Sequence, residues 1–131
     1  WVGMGIAEKL ALTGRHVRLA VNGIQAGMEL QPYQRDHLIG KLHRAGVEII
    51  PYARLFGVDE DTAYLIHTVT HDPILCEEVD TVVLAYGTSA DTQLENELVG
   101  LNIQTHLAGD CLSPRTAEEA ILEGMQAAFS I

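Results

Sequence analysis

An apolar run ends at Gly109-Asp110, passes through Cys111-Leu112-Ser113-Pro114-Arg115 and enters a segment rich in alanine and glutamate that reaches Met125. A carboxylate held at the end of a buried strand accepts hydrogen bonds from ribose or ribityl hydroxyls, and the N–H groups that follow point at phosphate oxygens. Aspartate is equally suited to a turn or a helix cap, so residue type leaves both roles open. A second candidate is the pair Gly3 and Gly5, just ahead of a helical pattern. Glycines there let the backbone approach a diphosphate at the positive end of a helix. The third is Asn22. In a dinucleotide fold an acidic residue after the second strand usually takes a ribose hydroxyl. An asparagine can still hydrogen-bond a hydroxyl, but it leaves the choice between NADH and NADPH open.

Other chemistry is poorly represented. The six histidines show no metal-ligand spacing; His67 and His71 are four apart but fall across an expected strand and turn. Cys76 and Cys111 are the only cysteines, which supports neither a disulfide framework nor an iron–sulfur site. No nucleophile with a base and an orienting acid can be assembled from neighbouring residues, and Ser89 and Ser113 stay unassigned.

The charge balance narrows the partners. Eight lysines and arginines stand against 18 aspartates and glutamates, a net charge of −10, whereas a phosphate backbone needs a basic footprint. A nucleic-acid partner is therefore not expected. Residues 1–46 carry six basic and three acidic side chains and residues 47–131 carry two and fifteen, so only the first third offers positive charge to a phosphate-bearing ligand. No apolar run reaches the roughly 18 residues of a membrane span and no signal-peptide pattern is present. A cytoplasmic setting without a membrane partner is expected.

These residues need elements to position them. Ile6, Leu10 and Ala11 have helical spacing and Gly14 stands at a helix stop, so a helix is expected over about Met4 to Thr13, with a strand over His16 to Val21. After a loop at 22–32, a second amphipathic helix runs from Tyr33 to Ala45. Gly46 closes it and a strand follows at Val47 to Ile50. Helix, glycine and strand thus occur twice, the signature of parallel βαβ units. Ala53 to Val58 and Thr62 to Val69 read as an antiparallel ribbon, with a turn at His71-Asp72-Pro73. The parallel sheet is expected to resume at Thr81 to Ala85 and end at Gly87. A short helix at Leu94 to Leu98, a strand at Ile103 to Ala108 and a last helix from Arg115 to Ala128 complete the reading. On that helix, Ala117, Ala120, Ile121, Gly124, Met125 and Ala128 form the expected buried stripe, and Glu118, Glu119 and Glu123 lie elsewhere. The fold class is α/β: Rossmann-like βαβ units with a mainly parallel sheet and an antiparallel ribbon insertion. The chain opens at Trp1 without an initiator methionine, so it reads as an excised fragment lacking the first strand.

On these landmarks the chain resembles the C-terminal nucleotide-binding region of the multidomain NADH:flavin oxidoreductases, the group of 2,4-dienoyl-CoA reductase, trimethylamine dehydrogenase and histamine dehydrogenase. The matching residues are Gly5-Ile6-Ala7-Glu8-Lys9-Leu10-Ala11, Gly14-Arg15-His16-Val17, Asp80-Thr81-Val82-Val83-Leu84-Ala85-Tyr86-Gly87 and Gly109-Asp110-Cys111-Leu112-Ser113-Pro114-Arg115. The resemblance implies that residues 1–86 form a pyridine-nucleotide-type domain and residues 87–131 return to an FAD- or ADP-type domain, unless the chain packs as one unit. It implies FAD or ADP near Gly109 and Asp110, NAD(P)H as a further ligand of the fragment, and Gly87 close to the domain junction. FMN and a 4Fe–4S cluster are implied only for an upstream flavin-barrel domain of the same parent chain, where the chemistry would occur.

Two other readings stay open: a Rossmann-like scaffold or interaction module without nucleotide binding, and a regulatory nucleotide sensor. An open parallel sheet lacking its first strand exposes an edge, so self-association or aggregation is expected. Light scattering across a concentration series checks this, and a clean monomer throughout would count against it.

Overall fold

A computed structural model describes all 131 residues. The elements in chain order are α1 (Val2–Leu12), β1 (Arg18–Ala20), α2 (Pro32–Arg44), β2 (Glu48–Ile50), β3 (Ala53–Asp59), β4 (Thr62–His67), β5 (Pro73–Cys76), α3 (Gln93–Leu98), a 3-10 turn (Gly109–Cys111) and α4 (Ala117–Phe129). They fall into two compact units, Trp1–Ala85 and Tyr86–Ile131. The first holds a parallel pair, β1 with β2, and an antiparallel sheet ordered β3-β4-β5. This is a mixed α/β, partly Rossmann-like arrangement with open sheets. No helix is long and apolar enough to cross a membrane.

The repeated helix–glycine–strand pattern has one local cause. Gly14 and Gly46 take φ of +83° and +77°, a conformation that glycine enters without a Cβ penalty. Both α1 and α2 end in the same pair of bonds. After α1, Gly14 N–H reaches Ala11 C=O at 2.9 Å and Arg15 N–H reaches Leu10 C=O at 3.4 Å; after α2, Gly46 N–H reaches His43 C=O at 3.1 Å and Val47 N–H reaches Leu42 C=O at 3.0 Å. This double closure satisfies carbonyls that a helix end leaves unpaired and turns the chain into the next strand. Pro32, assigned from sequence to the preceding loop, is the first residue of α2, where its fixed φ is preorganised and its missing N–H costs nothing.

The strands of the parallel pair match residue for residue, with Arg18 opposite Glu48, Leu19 opposite Ile49 and Ala20 opposite Ile50. Met4 and Ala7 of α1, Ala26 of the loop, Leu42 of α2 and Val47 form the buried cluster beside this pair. Small residues make the close approach possible. A Cβ on Gly27, whose φ is +72°, would stand 2.9 Å from Met4 Sδ. A second cluster, Ala53, Ala63, Leu65 and Cys76, belongs to the antiparallel sheet.

Several sequence expectations are corrected. Pro73, expected in a turn, begins β5 and faces Ile66 of β4. Because β5 is an edge strand, the missing proline N–H breaks no second ladder. Thr81 to Ala85 form no strand. Val82, Val83 and Leu84 are 40%, 51% and 62% exposed, and a β-branched run has no ladder without a neighbouring edge to bond to. Ile103 to Ala108 likewise lack strand pairing. On α4 the expected apolar stripe is exposed except at Ala120, with Ile121 65% and Met125 53% exposed. The half-buried positions are Glu119, Ala120, Glu123 and Ala127.

Candidate functional site

In the second unit, Gly109 and Asp110 open the 3-10 turn, with Gly109 at φ +71°. A Cβ at Gly109 would meet Ala120 Cβ at 3.4 Å, so α4 lies directly against the turn. Glu123, one helical turn beyond Ala120, accepts the Gly109 N–H at 2.8 Å. Its other carboxylate oxygen takes a hydrogen bond from the Arg115 guanidinium. The Glu123 side chain is only 12% exposed, so this ion pair is better shielded from water than a surface pair. Cys111 Sγ adds a contact to Ala108 C=O at 3.1 Å. The outcome is a fixed turn with Asp110 exposed at its crest.

Sequence reasoning missed the Arg115–Glu123 clasp and placed Glu123 off the buried face. The available signal was the spacing Ala120, Glu123, Ala127, a carboxylate set between two small residues on one helical face. The neighbouring open groove of about 460 Å³ is lined by Glu95, His106, Leu107 and Leu112 together with Glu123 and Gln126 of α4. Ser130 Oγ lies 3.2 Å from His106 Nδ1 at its edge.

The start of α4 is a capping box. Thr116 Oγ1 accepts the Glu118 N–H at 3.3 Å, and the Glu119 carboxylate accepts the Thr116 N–H at 3.0 Å. The Thr116 hydroxyl also donates to Glu119, and this bond, followed by the backbone N–H groups of Glu119 and Thr116, holds the Glu119 carboxyl below the usual glutamate range. A depressed folded pKa stabilises above the unfolded value of about 4.3, and that contribution is lost as pH falls through the folded value. Helicity by circular dichroism is therefore expected to fall below about pH 4.3, with Glu119→Gln removing part of that pH dependence. An acid limb identical in Glu119→Gln and the parent would contradict this. Thr116→Ala is expected to cost about 1 kcal/mol.

The sites in the first unit are arranged differently. Gly3 and Gly5 lie within the first turns of α1, not ahead of it. Gly5 N–H is committed to Trp1 C=O at 3.2 Å. Gly3 is closely packed: a Cβ there would stand 3.3 Å from Ala85 Cβ and 4.0 Å from Leu19 Cδ1, whereas Gly5 faces open space. Asn22 is exposed just past β1, and its carbonyl accepts the Thr68 hydroxyl at 3.0 Å. Gly23 C=O takes the Tyr52 N–H at 2.9 Å, and Tyr52 adopts φ +52° in making this link. Gly87, in the second unit, has φ +99° and open space around it.

His67 also enters a local network. The Thr70 N–H donates to His67 Nδ1 at 3.1 Å and the Thr70 hydroxyl donates to Asp72 at 2.7 Å. With Nδ1 accepting, the proton of the neutral ring is on Nε2. These bonds order the turn between β4 and β5, where His71 has φ +64°. No group of three or more His, Cys, Asp or Glu side chains is arranged to hold a metal ion.

Neither the comparison with family models nor that with curated proteins gives a match. Solved structures do match in fold. The chain is similar to 6-hydroxypseudooxynicotine amine oxidase from Pseudomonas geniculata N1 (19% identity, TM-score 0.82, over 95% of this chain and 19% of that one). Histamine dehydrogenase from Rhizobium sp. 4-9 aligns over the whole of this chain and 21% of its own, at 17% identity and a TM-score of 0.88. A 2-naphthoyl-CoA reductase aligns over 98% of this chain and 19% of its own, at 22% identity and a TM-score of 0.78. The chain thus has the fold of a segment amounting to about a fifth of each of these three enzymes.

Proposed function

We propose that the chain is a nucleotide-binding part of a larger FMN- and iron–sulfur-containing oxidoreductase, contributing cofactor binding and domain packing while electron transfer to or from substrate takes place in an upstream flavin barrel. The observation that carries this reading is the match of 95% or more of the chain to segments of an oxidase, a dehydrogenase and a reductase. Asp110 is the residue assigned to a ribose or ribityl hydroxyl of FAD or ADP. Its exposed carboxylate on a turn held from behind by Glu123 suits that task. Gly3, Gly5 and Asn22 are assigned to the pyridine-nucleotide-type half, the two glycines as residues that let a diphosphate approach the start of α1 closely. Gly87 is assigned to the junction between the two types of domain.

An iron–sulfur cluster does not fit these residues. Cys76 is buried in the antiparallel sheet and Cys111 is half-buried against its own turn, with no companion thiols. FAD or ADP would supply a nucleotide diphosphate with its sugar hydroxyls, and this chain would bind and orient it. A scaffold without nucleotide binding is the competing reading, favoured by the occupied N–H groups of Gly5 and Gly109.

Isothermal titration of the chain with ADP, FAD, NADH and NADPH separates the two. Saturable binding of FAD or ADP is expected, together with no NAD(P)H-dependent dye reduction by the chain alone. Silence with all four nucleotides favours the scaffold.

A further inference from the structure

The Gly109 N–H is one of the groups a phosphate would seek at this turn, yet a side chain of the same unit already holds it. Glu123 accepts that N–H at 2.8 Å and is itself bound by Arg115. Arg115 is the only lysine or arginine between Tyr86 and Ile131, against seven aspartates and glutamates. The groove beside the turn is lined by the carboxylates of Glu95 and Glu123 and by no arginine or lysine. A phosphate here would have to displace a charge-assisted bond, break an ion pair and enter a negative field.

We propose that Glu123 sets ligand specificity at this turn: it keeps phosphate off the Gly109 N–H and leaves the turn to the uncharged, hydroxyl-bearing part of a nucleotide through Asp110. The inference rests on the nucleotide reading above and narrows it, since the diphosphate must find its positive partners outside residues 86–131. Glu123 is a positioning residue, acting through Gly109 and Arg115. Its carboxylate occupies the place that a phosphate oxygen would take.

The test is a titration of the ¹⁵N-labelled chain with inorganic phosphate at constant ionic strength, following the Gly109 and Asp110 amides by NMR. In the parent chain the Gly109 amide is expected to show no saturable shift. In Glu123→Ala, with the N–H and Arg115 both released, it is expected to respond with an affinity higher by about tenfold or more, the worth of one charge-assisted hydrogen bond. Glu123→Gln keeps an acceptor oxygen and should respond to an intermediate degree, which covers the case in which the alanine variant loses its fold. A saturable phosphate response at Gly109 in the parent overturns the proposal, as does a folded variant that stays silent. The nucleotide reading fails elsewhere, in calorimetry, so the two failures are distinguishable.

Discussion

Replacing Leu42 by alanine is expected to lower the unfolding free energy by about 2–5 kcal/mol, the usual cost of deleting a large aliphatic side chain from a close-packed core. Leu42 is the most deeply buried large side chain, 1% exposed, and it packs in one cluster with Met4, Ala7, Ala26 and Val47. The surroundings cannot easily close over the gap. Ala26 has only a methyl group to offer, and the backbone of α2 is held by Pro32 at one end and the Gly46 closure at the other. Against a total of about 5–15 kcal/mol for an ordinary domain, such a loss would bring the Trp1–Ala85 unit close to unfolding. Urea denaturation followed by circular dichroism reads the effect as a lower midpoint. Leu12→Ala is the control: Leu12 is 72% exposed on α1, and its truncation should stay within about 0.5 kcal/mol. Equal losses in the two variants would show that Leu42 does not hold the core.

The second large effect concerns binding. Asp110→Ala is expected to weaken FAD or ADP by roughly 10- to 150-fold, because a hydrogen bond from a hydroxyl to an ionised carboxylate contributes about 1.5–3 kcal/mol. Asp110→Asn keeps one acceptor oxygen without the charge and should fall between the two. Folding should be little affected, since Asp110 is exposed and the turn is held through Gly109, Cys111 and Glu123. Calorimetry on the parent and both variants gives the affinities. Unchanged binding in Asp110→Ala would move the sugar contact away from this turn.

Much of the fold was legible because it depends on local rules. Gly14 and Gly46 stop their helices through the same left-handed closure, and neighbouring residues supply every bond in it. The start of α4 near Arg115 is likewise set locally, by a capping box at Thr116 and Glu119 that the structure shows. The hairpin of β3 and β4 follows from two apolar runs and a short acidic turn, with Glu60 at φ +49°. Where the reading departed from the structure, the deciding partner was distant. Thr81 to Ala85 and Ile103 to Ala108 have strand-like composition, but a strand exists only beside another edge, and composition does not supply one. Pro73 could begin β5 because that strand lies at a sheet edge, a position known only from the pairing order.

The candidate site divides in the same way. From residue types alone came the proposal that Gly109-Asp110 opens a turn before an amphipathic helix, because glycine reaches φ +71° easily and aspartate offers a carboxylate. Which face of α4 meets that turn was a tertiary matter. Hydrophobicity favoured a stripe through Ala120, Ile121 and Met125, yet of these only Ala120 turns inward, together with Glu123 and Ala127, since small residues permit close approach and Glu123 can satisfy both the Gly109 N–H and Arg115. The amino-acid sequence by itself determined the helix ends, the α/β alternation and the chemistry on offer, all of which depend on residues a few positions apart. Only the tertiary structure decided which strands pair and that Glu123 holds the Gly109 N–H, because these depend on groups brought together by folding.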